Sequence, residues 1–134
     1  MIFFKKTKVI LDTNFLLIPG KFGVDIFTQI KEVVNERHQI CIFEDTKKEL
    51  QKIIHKNNSK DSFNAKLGFV MAEQKNLKTL RSSKSHVDDA ILSYATKNKD
   101  KTIVATHDKD LIKQLKKIPV KIINLKQKKY LIIR

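Results

Sequence analysis

Cysteine occurs once in this chain, at position 41, so neither an internal disulfide nor a thiolate metal cluster can form. Its place in the apolar run Gln39-Ile-Cys-Ile-Phe43 marks it as a core residue. Two prolines and three glycines leave little material for long disordered linkers. No apolar stretch approaches the ~20 residues that span a bilayer. The opening, Met1 to Lys6, has neither the order nor the length of a secretory leader. A cytoplasmic protein with no membrane partner is therefore expected. There is no glycine-rich phosphate loop, no serine-nucleophile motif and no internal repeat. His38, His55, His86 and His107 are scattered without a metal-binding spacing, which argues against zinc.

Acidic residues are also scarce. Asp plus Glu number 14 against 28 Lys plus Arg, a net charge of +14. A surplus that large points to a polyanion, because basic surface displaces counterions from phosphates; solubility alone is the blander reason for it. Only three of the basic residues are Arg. Lysine acts as a point charge on the backbone more than as a reader of base edges, so nucleic acid bound without strong sequence readout is the expectation.

At 134 residues the chain is read as one domain, 1–134, with one core. Short apolar runs at Val9–Leu11, Ile40–Phe43, Ile103–Ala105 and Val120–Leu125 read as strands, the first three nearly continuous in Val and Ile, as strands covered on both faces are. Helical spacing falls between them. It covers Val24–Asn35, Asp45–His55 (capped by Asp45 or Thr46), Ser62–Leu77 (as one helix or two short ones), Ser85–Asn98 and Lys109–Lys117. Ser85-His-Val-Asp88 fits a capping box. Lys128–Arg134 would return as a hairpin strand on Val120–Leu125, and Asn57–Lys60 and Arg81–Lys84 read as polar loops. Strands alternating with helices imply a parallel sheet covered on both faces.

In such sheets ligands bind beyond the carboxyl ends of the strands. Asp12 ends the first strand and Asp108 closely follows the third, so both project into that crevice. Glu49 lies about one turn into the helix after the second strand. Asp88 and Asp89 open the Ser85–Asn98 helix, whose start must lean across the carboxyl edge to join them. Asp110 follows Asp108. Each acid also has an ordinary use: an Asx-turn for Asp12, a helix dipole for Asp88 or Asp89, a cap for Asp108 or Asp110. Together, clustered carboxylates repel one another, and a hard divalent cation, Mg²⁺ or Mn²⁺, relieves that repulsion. Such ions can activate water and stabilise the leaving oxygen of a phosphodiester.

These positions resemble the PIN-domain nuclease family over nearly the whole chain. The resemblance is carried by Val9-Ile-Leu-Asp-Thr-Asn14, by Thr46-Lys-Lys-Glu-Leu50, by Val87-Asp-Asp-Ala-Ile-Leu92 and by Ile103-Val-Ala-Thr-His-Asp-Lys-Asp-Leu111. It implies a three-layer α/β/α sandwich with a central parallel sheet. It also implies a Mg²⁺- or Mn²⁺-dependent endoribonuclease that cuts single-stranded RNA by a metal-activated water. Carried over residue by residue, Asp12, Glu49, Asp89 and Asp108 are the catalytic acids. Asp88 is the alternative to Asp89, and Asp110 is an auxiliary metal ligand. Asn14 and Thr106 order the site. No substrate-binding residue is implied.

The last third, with Leu115-Lys-Lys-Ile-Pro119 and Lys128-Lys-Tyr130, resembles the PIN proteins of small-subunit pre-ribosomal RNA processing, as a stand-alone archaeal-type member. The VapC-type toxins of toxin–antitoxin pairs share the same acids. The partners implied are RNA, ribosomal or otherwise single-stranded, an antitoxin or a ribosome-assembly protein, and a second copy of the chain. Two readings compete with the nuclease. A non-catalytic RNA-binding or assembly factor would have no use for so many acids, and a haloacid-dehalogenase-like phosphatase requires an acid where Asn14 stands.

Overall fold

The structure is a computed structural model that describes residues 6–56 and 59–134. The start read as leaderless, Met1 to Lys5, and the Asn57–Asn58 part of the expected loop lie outside those residues. Six strands form one sheet in the order β3-β2-β1-β4-β5-β6: β1 Thr7–Leu11, β2 His38–Phe43, β3 Lys78–Leu80, β4 Thr102–Ala105, β5 Lys121–Lys126 and β6 Tyr130–Ile133. Neighbours from β3 to β5 are parallel, and β6 pairs antiparallel with β5. The α-helices among the described residues are α1 Ile18–Phe22, α2 Ile26–Val33, α3 Glu44–Ile54, α4 Lys60–Gln74, α5 Val87–Lys97 and α6 Lys109–Leu115.

Alternation along the strands divides the core in two. Val9, Leu11, Ile42, Ile103, Ala105 and Ile123 face α1 to α4 together with Phe15, Ile26, Ile30 and Leu50. Ile10, Cys41, Phe43, Val104 and Ile122 face α5 and α6 through Val87, Ile91, Ala95, Leu111 and Leu115. This is the expected three-layer α/β/α sandwich. Burial pushes the Cys41 thiol up to about 11 against the opposing pull of Lys8 and Lys78, so it stays a protonated core residue. No helix of the described residues is long and apolar enough to cross a membrane.

Several boundaries differ from the sequence reading. Ser62–Leu77 is one helix that begins at Lys60, capped by the Ser59 side chain, rather than two; no proline interrupts it. α3 starts at Glu44 with Phe43 as its cap residue, so neither Asp45 nor Thr46 caps it. α5 starts at Val87 after His86, which replaces the capping box expected from Ser85. The segment after Asp12 is a 3-10 helix, Thr13–Leu17, running into α1. Its apolar residues are buried nearly all round and show no stripe, and Pro19 sits in the first turn of α1, where a missing N–H is harmless. β3 is three residues, Lys-Thr-Leu, at the sheet edge, too short and polar to register as an apolar run.

β3 matters most for function. It supplies a strand before α5, so α5 begins at the carboxyl edge of the sheet and need not lean across it.

Candidate functional site

The strand order reverses direction between β1 and β4, and the crevice beyond their carboxyl ends is where an open α/β sheet binds ligands. Asp12 stands there: its backbone N–H donates to the Ala105 carbonyl at 3.0 Å, continuing the β1–β4 ladder. Thr106 emerges beside it from β4. The Thr106 hydroxyl donates to Asp12 Oδ2 at 2.9 Å and accepts from the Asp108 N–H at 3.1 Å. Asp12 Oδ1 accepts from the Thr13 N–H at 2.8 Å, opening the 3-10 helix. Asp108 Oδ1 accepts from the N–H groups of Asp110 and Leu111 at 2.9 and 3.1 Å, capping α6. The turn and capping uses of these acids are thus both present: both Asp12 oxygens accept a hydrogen bond, and Asp108 is held through Oδ1. Asp108 Oδ2 stays outside that network.

The electrostatics follow from burial. Asp12 is 3% exposed. Its carboxyl is pushed up to about 6, first by burial and further by the charges of Asp88 and Asp108, with the Thr106 and Thr13 hydrogen bonds pulling the other way. Asp88 is also raised, by partial burial, then by Asp108, Glu49 and Asp89. Burial lowers the His107 imidazole, helped by Lys21 and opposed by Asp108. Asp88 and Asp108 thus act on Asp12, and Asp108 and Glu49 act on Asp88, across the carboxyl edge.

Among the described residues Asp12 is the one buried acid, and it has no cation beside it. Glu44, Asp45, Asp61 and Glu73 each pair with a Lys or Arg at 3.5–3.8 Å. Among the described residues, no such ion pair involves Asp12, Glu49, Asp88 or Asp108.

The other acids take different positions. Glu49, half-buried in the second turn of α3, joins the cluster through its effect on Asp88. Asp89 turns to the outer side of α5, where it lines a groove with Lys84, Leu92, Ser93, Thr96 and Lys97. Asp110 is exposed in the first turn of α6. Asn14 is exposed on the 3-10 helix, and no side-chain hydrogen bond ties it to the acids among the described residues. The sequence reading missed the buried hydroxyls of Thr13 and Thr46, which have no protein partner; Thr13 follows Asp12, and Thr46 lies one turn before Glu49. Nothing in the sequence distinguishes these two from any other threonine.

Among the described residues, no three Asp, Glu, His or Cys side chains stand close enough together to enclose a metal ion on their own. The donor set nonetheless fits Mg²⁺ or Mn²⁺ in kind. It is all oxygen and anionic, it lacks paired lysines, and such ions keep several waters between themselves and carboxylates.

Comparison with known proteins gives three findings. Residues 9–128 match the sequence model of a family described as the PIN-like domain. The chain is 31% identical over 123 residues to Ribonuclease VapC4 of Methanocaldococcus jannaschii, covering 92% of this chain and 93% of that protein. Its fold superimposes on the PIN domain endonuclease Utp24 with a TM-score of 0.79 at 22% identity, over 95% of this chain and 90% of the other.

Proposed function

The chain belongs to the PIN-like domain family, and from that premise we propose that it is a Mg²⁺- or Mn²⁺-dependent endoribonuclease acting on single-stranded RNA. The observation that carries the reading is the buried Asp12, with no cation partner, at the sheet's switch point, with Asp88 and Asp108 near enough to oppose its ionisation and Glu49 near enough to act on Asp88. A bound divalent ion would supply the countercharge these acids lack and polarise the water that attacks the phosphodiester.

The chain's own residues do the positioning. Asp12 and Asp108 offer their carboxylates from rigid mounts, one on the 3-10 helix and one on α6, cross-linked by Thr106. Asp88 brings its charge from α5, and Glu49 from α3. Asp88 takes the ligand role that the resemblance gave first to Asp89, because Asp88 is the α5 acid coupled to Asp12, Asp108 and Glu49. Asp110 and Asn14 are left as auxiliary groups, and Thr106 as the ordering one.

The relative named a ribonuclease, at 31% identity, favours RNA over DNA as substrate and a VapC-type toxin with an antitoxin partner as one setting. Ribosomal RNA maturation with an assembly partner is the other, supported by the motifs of the last third. Growth arrest on expression, relieved by a small neighbouring gene, would select the toxin. A homodimer suits either setting.

The test is cleavage of a single-stranded RNA with Mn²⁺ by wild type, Asp12→Asn, Asp88→Asn and Asp89→Asn. We expect Asp12→Asn to lose at least about a hundredfold in rate, and Asp88→Asn to lose far more than Asp89→Asn. Undiminished cleavage by Asp12→Asn would remove the assignment. Binding without any cleavage in any metal would favour the non-catalytic factor.

A further inference from the structure

Beyond the acids, the carboxyl edge continues into a second feature. The Arg81–Lys84 loop follows β3 at that edge and lies against the outer face of α5. Asp89, Leu92, Ser93, Thr96 and Lys97 recur at helical spacing on that face and line a groove with Lys84. An adjoining cavity of about 290 Å³ shares Lys84, Ser93 and Lys97 with the groove and is walled further by Arg81, Ser82, Phe43 and Tyr94.

The chemistry of this lining is specific. Arg81, Lys84 and Lys97 are exposed cations, and Ser82, Ser83 and Ser93 are hydroxyl donors between them. Arg81 is held to Glu44 at 3.5 Å, while Lys84 and Lys97 have no carboxylate partner among the described residues. The aromatic wall is Tyr94, half-buried and edge-on to Phe43 at 6.3 Å between ring centres. Cations that track phosphates beside an aromatic surface are the means by which proteins hold single strands. The groove also begins at Asp89, next in sequence to the clustered Asp88. From Asp89 to Lys97 is ~12 Å of helix, the length of a short oligonucleotide stretch.

We propose that the groove between the Arg81–Lys84 loop and the outer face of α5 is a single-strand nucleic-acid subsite. Lys84 and Lys97 grip the phosphates and the Tyr94 wall receives a base, leading the strand to the acids. The subsite rests on the nuclease reading for its purpose, but it can be tested apart from it. Asp89, a carboxylate at the mouth of this groove, then acts on the path of the strand and not on the metal.

The test is equilibrium binding of a fluorescent single-stranded RNA in chelator, with cleavage by Mn²⁺ measured in parallel. Lys84→Ala/Lys97→Ala is compared with Lys52→Ala/Lys66→Ala, which removes the same charge from exposed positions on α3 and α4 in the opposite layer. The groove variant should bind about tenfold or more weaker, and its log–log salt slope should flatten by about 1.4, the share of two phosphates on a single strand. The control should change by about twofold or less.

Equal weakening in both variants, or no binding by wild type, would overturn the subsite. So would a duplex of the same sequence that binds as tightly and responds equally to the groove variant. Cleavage by wild type with unchanged groove-variant binding would sink the subsite and leave the nuclease standing. Groove-dependent binding without cleavage would do the reverse.

Discussion

Asp12 is the residue on which most of the chemistry turns, and its protonation sets the pH behaviour. The folded protein binds its proton more tightly than the unfolded chain does, with the pKa moving from 3.8 to about 6. The stability from this group is therefore complete below 3.8 and is lost as pH rises through about 6. In chelator, the wild type should lose about 2–3 kcal/mol relative to Asp12→Asn between pH 4 and pH 7. Thermal melts of the two proteins across that range check it. Added Mn²⁺ should erase the change by favouring the ionised form; a stability difference between the two proteins that stays constant from pH 4 to pH 7 would contradict it. Asp12 and Asp108 were legible in the sequence because each follows a strong apolar run. The side that an α5 acid faces was not legible. Asp88 and Asp89 are adjacent, and a helix turns about 100° per residue, so an error of one position in the helix start redirects both.

At the scale of elements, the site is held by short pieces: a 3-10 helix, the start of α6 and the start of α5. Asp108 serves both as cap and as charge, and substitutions can separate the two. Asp108→Asn should keep the cap and most of the stability while abolishing metal-dependent activity, and Asp108→Ala should lose a further ~1 kcal/mol from α6. Melting temperatures of both, with cleavage rates, decide it.

α4 supports the 3-10 helix at Gly68. A Cβ there would press on the Leu16 carbonyl, coming within 3.0 Å of its carbon and closer still to its oxygen. Gly68→Ala should therefore destabilise by about 1–3 kcal/mol and displace the segment that carries Asp12. An unchanged melting temperature would show that the helices separate without strain. The long strands and helices could be read from apolar periodicity. β3 and the 3-10 helix could not, because a three-residue polar edge strand and an apolar segment without a stripe have no period to detect.

For the molecule as a whole, the net charge is +14 although several acids gather at the carboxyl edge. Single-stranded RNA should bind with an affinity that falls linearly on a log–log salt plot, about 0.7 for each phosphate contacted. A slope near zero would mean that the lysines keep the protein soluble and nothing more. Composition alone raises this expectation. It could not locate it, since lysines cover every face, and the Arg81–Lys84 loop gains meaning only once β3 places it beside α5.

The strand order has a last consequence, in the timing of synthesis. A chain leaves the ribosome from its N-terminus, so Asp12 and Glu49 emerge long before Asp108. β1 is flanked by β2 and β4, and β4 by β5, so the crevice has only one wall until β4 and β5 have been made. The acids of the crevice therefore cannot face one another until β4 has been made and has paired with β1.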